Sequence, residues 1–143
     1  MDKKQLNKAA FIKAGTIRNQ VIARTSGRTP RIKDYPAAIS SCSIIGSTAH
    51  KEDYSRSCQN YHFEEPINSA LSKLGNIGCI DSSCKNPIGH CAEPHAANKL
   101  LRTLRRKPPI RNFVFSDTIR PRTMQALSYC NNCKRTFPSL TKI

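Results

Sequence analysis

The chain contains the stretches Gly89-His-Cys-Ala-Glu-Pro-His-Ala96 and Cys130-Asn-Asn-Cys133, and these two decide how we expect it to fold. Together they supply three thiols, from Cys91, Cys130 and Cys133, and one carboxylate, from Glu93. Structural zinc sites use four protein ligands, whereas catalytic zinc sites use three and leave the fourth position to water. The three cysteines therefore predict an open zinc site, and the neighbouring acid predicts proton transfer beside it, as hydrolysis requires.

A helix is expected to begin near Cys91. Apolar residues recur beyond it at spacings of three, four and seven: Ala97, Leu100, Leu101 and Leu104. Pro94 is tolerated only in the first turn of a helix, because an interior proline loses a backbone hydrogen bond and clashes with the preceding turn. The Cys91 sulfur then lies at the positive end of the helix, which favours the thiolate that binds metal. Cys130 and Cys133 can point the same way at the start of a second helix.

The arrangement Cys91-Ala-Glu93 followed by Cys130-x-x-Cys133 resembles the zinc-dependent cytidine deaminase superfamily, whose pattern is His or Cys, any residue, Glu, and later Pro-Cys-x-x-Cys. Over residues 67–143 the motifs are similar to those of deaminase domains at the C-termini of bacterial polymorphic toxins. The family usually has proline before the cysteine pair, where this chain has Tyr129. The resemblance implies an α/β fold, a three-layer α/β/α sandwich with a small mixed sheet, in which two helix N-termini present the ligands.

The resemblance also implies an activity and the residues that perform it. Zn²⁺ would be held by the three cysteines, while Glu93, which is not a ligand, would move protons during the hydrolytic conversion of cytosine to uracil in DNA or RNA. Such a domain would act in the cytoplasm of a target cell as part of a larger secreted toxin, with an acidic immunity protein as a partner. Four further side chains are candidate substrate contacts: Asn86, Arg120, Arg122 and Tyr129. Tyr129 either stacks on a base or fills the space of the missing proline.

Other interpretations of the same residues stay open. Cys91 and His95 lie four apart on one helical face, so they can form a closed structural zinc site with the cysteine pair. The chain would then be a non-catalytic basic zinc module that binds nucleic acid. His90 is an alternative ligand in place of Cys91. Free nucleosides or nucleotides are alternative substrates, and adenine an alternative base, because the shape of the pocket decides among them.

The charge of the chain predicts a polyanionic partner. Its 143 residues have a formal net charge of +15. Residues 1–33 contain nine Lys or Arg against Asp2 alone, and residues 99–122 contain eight against Asp117. Such density favours binding to a phosphate backbone with a strong dependence on salt. The alternatives are a solvated basic surface or a surface that fits an acidic immunity or carrier protein. No apolar run approaches the length of a membrane span, and we expect a monomer.

The pattern along the chain predicts two parts. Residues 1–36 are expected to form a basic helix, at 2–24, and an arm, and residues 37–143 the deaminase-like catalytic domain. Elements of that domain are expected as follows: strands within 37–47 and 110–116, a weaker strand near 61–63, a helix from 66, and a loop over 117–126. Four cysteines lie outside the motif: Cys42, Cys58, Cys79 and Cys84. We expect them to be mostly reduced, with one disulfide, for instance within Cys79 to Cys84, left open.

Overall fold

The computed structural model describes residues 1–81 and 84–141. Its elements follow in chain order: α1 Lys3–Arg24, β1 Ile39–Ile44, β2 His50–Tyr54, α2 Ile67–Ser72, α3 Ala92–Leu101, β3 Phe113–Phe115, β4 Thr118–Arg120, β5 Gln125–Leu127 and α4 Asn131–Thr136. Short 3-10 turns lie at Ile32–Asp34, Ile110–Asn112 and Pro138–Thr141. The helices predicted near 2–24, from 66, and at the two cysteine motifs are confirmed, as are the strands predicted within 37–47 and 110–116. No helix of the described chain is long and apolar enough to cross a membrane.

The five strands form one sheet in which β1 is central. β2 pairs with one edge of β1, and β3 and β4 pair in succession with the other, while β5 pairs with β4. The predicted α/β class is therefore confirmed. Each of these strand pairs is antiparallel, whereas we expected a mixed sheet. For β1–β2 and β4–β5 the reason is the shortness of the links, since residues 45–49 and 121–124 close hairpins and a parallel pair needs a crossover of a dozen residues or more.

Helices cover both faces of the sheet. β1 contacts both helical layers, because alternate residues of a strand face opposite sides. Cys42 packs in the cluster that contains α2, α3 and the aromatic residues of β3. Ile39 packs instead with Ile119 against α1. The side of α1 that faces the sheet contains Leu6, Ala10, Ala14, Ile17 and Val21, all buried. The basic N-terminal helix is thus a layer of the sandwich.

Two predictions made for single segments were wrong. The second strand is β2, at His50–Tyr54, and not the aromatic stretch near 61–63. β2 is an edge strand with the polar sequence His-Lys-Glu-Asp-Tyr, so it lacks the apolar alternation that identifies a strand. Phe63 is buried in the core without belonging to a strand. The loop predicted over 117–126 contains β4 and β5, whose three residues each are too few to show a period.

Candidate metal centre and cavity

The two cysteine motifs lie at the starts of α3 and α4. Cys91 directly precedes α3 and Cys130 directly precedes α4, each with extended backbone angles and no side-chain cap. The turn before Cys91 depends on Gly89, whose φ is +89° and where a Cβ atom would lie 3.2 Å from the side chains of Ile77 and Phe63. Only glycine fits such a turn without strain. Pro94 is the third residue of α3, within the first turn as predicted.

The two helix starts bring three sulfurs together. The Sγ atoms of Cys91, Cys130 and Cys133 all lie within 4.8 Å of one another, and those of Cys91 and Cys130 are 3.0 Å apart. Three sulfurs bound to one zinc ion at about 2.3 Å in a tetrahedron would be about 3.8 Å apart. The cluster matches that spacing to within about 1 Å, and a set of thiolates suits zinc. The three cysteines can therefore hold a metal ion.

The three thiols differ in pKa. Hydrogen bonds with Cys133 and Cys91 lower the pKa of Cys130 to about 2. The pKa values of Cys91 and Cys133 are raised, mainly through the same contacts with Cys130 and also because both thiols are buried. The cluster thus favours a thiolate at Cys130. A divalent cation displaces thiol protons when it binds, so metal binding would release acid.

Glu93, the second residue of α3, lies beside the sulfurs and is 3% exposed. Its Oε1 accepts a hydrogen bond from the Thr118 hydroxyl, and its Oε2 accepts one from the Cys133 thiol at 3.2 Å. Burial raises the pKa of this carboxyl, and the bond from Thr118 partly opposes that effect. Within the described chain, no acid or histidine joins the three sulfurs in one group of ligand atoms. Glu93 is thus adjacent to the cluster without completing it.

The two histidines considered as ligands lie elsewhere in the described structure. His95 is fully buried, with its ring 4.6 Å from that of Tyr61 and 5.3 Å from that of Phe63, centroid to centroid. Burial, and then the charge of Arg56, lowers its pKa to about 4. His90 lines a cavity next to the sulfur cluster but is outside the cluster itself. The geometry gives no support to a closed site completed by His95.

This cavity, of about 870 Å³, opens onto the cluster. Cys91, Glu93 and Cys130 line it, and residues of the arm from Ile32 to Ala38 form another part of its wall. Four of its lining residues are cationic: Lys33, Arg56, Arg120 and Arg122. Glu93 is the one acidic residue among those that line it. A cavity of this size admits a small organic ligand such as a nucleotide, and its charge favours an anionic one.

Three of the four predicted substrate contacts reach this cavity. Asn86, Arg120 and Arg122 line it. Tyr129 does not, because its hydroxyl donates to the carbonyl of Ser116 at 2.8 Å and accepts a hydrogen bond from Lys3. The structure thus places Tyr129 on a different part of the surface, near the start of α1.

The sequence did not single out three residues that the structure brings to the site: Lys33, Arg56 and Thr118. Arg56 is held in place, since it forms an ion pair with the buried Asp53 and lies over the Tyr54 ring at 4.5 Å. Its backbone N–H also donates to the carbonyl of His90 at 3.0 Å, which ties this strand end to the cysteine motif. A rigid guanidinium on the cavity wall loses little entropy when it binds an anion.

In comparisons with known proteins, no protein-family model, curated protein or solved structure matches the chain. The candidate site is therefore defined by its own residues.

Proposed function

We propose that this protein is a zinc-dependent deaminase that hydrolyses cytosine to uracil in nucleic acid. One observation carries the proposal: three thiols that can hold a metal ion lie beside a buried carboxylate at an open cavity. A purely structural zinc site has no need of a desolvated acid next to its ligands. The likeness of the motifs to those of the cytidine deaminase superfamily supports the same conclusion.

The reaction adds water to cytosine and releases ammonia, so protons must move between the water, the ring and the amino group. Zinc, when bound, supplies a water molecule that is acidic enough to act as a nucleophile near neutral pH. In the proposed reaction Glu93 would take one proton from the attacking water and deliver it to N3 of the base, while the hydroxyl oxygen bonds to C4. It would then move the proton of that hydroxyl to the amino group, so that the C4–N bond breaks and uracil and ammonia are released. In the metal-free protein burial raises the pKa of this carboxyl, a direction that favours its acid form.

Nucleic acid is the proposed substrate because cationic residues surround the cavity. Lys33 and Arg122 lie on chain segments far apart in sequence, Arg120 is the last residue of β4, and Arg56 lies in the segment after β2. Together they can bind phosphates on both sides of a target nucleotide. The base must be unpaired or flipped out, since a base inside a duplex cannot reach the metal. We expect activity to fall steeply with salt.

The proposal extends to biological context. A strongly basic deaminase domain similar in its motifs to those of bacterial polymorphic toxins fits a toxin module that acts in the cytoplasm of a target cell. The net charge of +15 suits an acidic inhibitor protein as a partner. We propose that the domain works as a monomer, because the described cavity is formed by one chain.

A second candidate function is that of a non-catalytic zinc module that binds nucleic acid. The net charge and the three cysteines are compatible with this function too. Glu93 separates the two. Zinc-loaded wild type and Glu93→Gln would be incubated with single-stranded DNA and RNA that each contain one cytosine, and the products would be sequenced. We expect one zinc per chain in both proteins, and conversion by Glu93→Gln slowed by about 10²- to 10⁴-fold.

The matched control is Glu65→Gln, which changes an exposed glutamate outside the cavity and should leave the rate unaltered. Wild type that loads zinc but converts no cytosine would disprove the proposed function. Conversion of adenine to inosine instead would support hydrolytic deamination but show that adenine, not cytosine, is the substrate base. Full activity in Glu93→Gln would remove this residue from the mechanism.

A further inference from the structure

The link between β3 and β4 contains one residue more than the facing part of β1. Cys42 of β1 faces Phe115, and Ile39 faces Ile119. The two partner positions are thus three residues apart on β1 but four apart on the facing strand. Between them, the Ser116 N–H donates to the carbonyl of Ser41 at 2.9 Å, and the Ser116 hydroxyl accepts from the Ser41 N–H at 2.9 Å. This is a β-bulge, in which two residues on one strand oppose one on the other.

The bulge reverses which face of the sheet each later side chain points to. Phe113 and Phe115 pack in the cluster beneath α3. In an unbroken strand Ile119 would lie on that same face, because alternate residues share a face. It packs instead against α1 on the opposite face. Thr118 is consequently on the α3 side, where its hydroxyl donates to Oε1 of Glu93.

Thr118 holds one oxygen of the carboxylate and leaves the other toward the sulfurs. It is 5% exposed, lines the cavity and lies 25 residues from Glu93 along the chain. Oε2 is then the oxygen next to Cys133. A carboxylate bound at one oxygen by a fixed donor cannot rotate freely, so its other oxygen keeps one position.

We propose that Thr118 is a positioning residue for Glu93, and that the bulge at Ser116 and Asp117 exists to aim it. The inference rests on the proposed function, since it assigns Thr118 a part in the same deamination. Bulges near active sites often redirect a side chain in this way. Thr118 itself transfers no proton and contacts no reacting atom; it acts through the carboxylate.

The test compares Thr118→Val, which keeps the shape but removes the donor, with Thr118→Ser, which keeps the donor. We expect Thr118→Val to lower kcat by about 10- to 100-fold, the range for losing a hydrogen bond to a charged group, with KM and zinc affinity unchanged. Thr118→Ser should recover most of the rate. Thr123→Val, on the same hairpin but outside the cavity, is the matched control and should match wild type.

A second measurement does not depend on activity. Crystal structures of the metal-free variants should show one Glu93 conformer in wild type and Thr118→Ser, and a rotated or split carboxylate in Thr118→Val. The positioning role alone would be overturned if the wild type is active and Thr118→Val has the same kinetics and the same Glu93 conformer as wild type. A wild type that is inactive on cytosine would overturn the proposed function, whatever the conformers show.

Discussion

The two helices that present the cysteines start alike but are held differently. Each begins directly after a cysteine with extended backbone angles. In α3, nine of the ten residues are buried, and its leucines lie in the main core. In α4, only three of the six are buried, two of them polar: Asn132, Cys133 and Thr136. One side of the cysteine cluster is therefore fixed by apolar packing, and the other depends on polar links.

The links of α4 are few and specific. Arg135 forms an ion pair with Asp81, and the Asn132 amide donates to the carbonyl of Asn86 at 2.8 Å. Phe137, just after the helix, anchors its end in the core, with its ring 4.6 Å from that of Phe115. Short helices with few apolar contacts open locally more often than core elements do. This difference in packing predicts that metal binding slows the local opening of α4 much more than that of α3.

The largest effect should come from zinc. At free zinc a thousand times the dissociation constant, binding to the folded state alone adds about 4 kcal/mol to the free energy of unfolding. Because Cys130 and Cys133 both belong to the start of α4, amide hydrogen exchange should slow more over Asn131–Thr136 than over Ala92–Leu101. Exchange measured by mass spectrometry, with and without zinc, checks this prediction.

Substitutions of single cysteines provide the controls for zinc. Cys130→Ser should abolish the change in exchange, whereas Cys79→Ser, at an exposed cysteine outside the cluster, should preserve it. Equal slowing in the two helices would mean that α4 is as firmly packed as α3, and the proposed difference between them would be wrong.

Acid should lower the free energy of unfolding through His95, a buried residue of α3. His95 is buried against Tyr61, and its ring nitrogens face the backbone of Gly89 and Arg56 without reaching hydrogen-bond geometry. Its pKa falls from 6.5 to about 4 on folding, so between these values the unfolded chain binds a proton that the folded chain does not. Stability is then complete above pH 6.5 and decreases as the pH falls toward 4, by at most about 3 kcal/mol.

The measurement for this prediction is urea unfolding at pH 7 and pH 4.5, for wild type and His95→Phe. Phenylalanine keeps an aromatic ring beside Tyr61 and removes the titrating group. The loss of stability on acidification should be smaller in the variant, while losses from carboxyl groups common to both proteins cancel. Equal losses would show that folding does not lower the pKa of His95.

The positions of the three candidate metal ligands could be predicted because local rules fix them. Pro94 requires a helix start within one turn, and a spacing of three places Cys130 and Cys133 on one side of a helix start. The central strand β1 was recognisable from its uncharged, small and β-branched residues. These signals lie within a few residues of the feature they determine.

The rest of the site depends on contacts between distant segments. The bulge that aims Thr118 exists only in the register with β1, almost 80 residues earlier, so no local pattern shows it. Arg56 and Lys33 are two of 24 cationic residues, and only the fold shows that they line the cavity. The predicted contact at Tyr129 failed to reach the cavity for the same reason, since Ser116 and Lys3 bind its hydroxyl elsewhere.

The smallest effect is expected at the link between α4 and the cavity. Asn132→Ala removes the donor to the carbonyl of Asn86, a residue that lines the cavity and whose amide nitrogen is 4.0 Å from the Cys91 sulfur. Asn86 is exposed, so water can replace the lost bond, and the free energy of unfolding should fall by only about 1 kcal/mol. The loop will then be less well held, and KM for a cytosine-containing strand should rise while kcat changes little.

Asn19→Ala, at an exposed position of α1 outside the cavity, is the matched control and should leave KM unaltered. If Asn132→Ala lowers kcat as strongly as Thr118→Val does, the link orients the reacting groups themselves and not only the loop. If neither constant changes, Asn86 is placed by its own turn, and α4 contributes to the site through its sulfurs alone. The contrast between the two helices would then be sharper still, because α4 would affect the cavity only through its cysteines, whereas α3 also places Glu93 in the cavity wall.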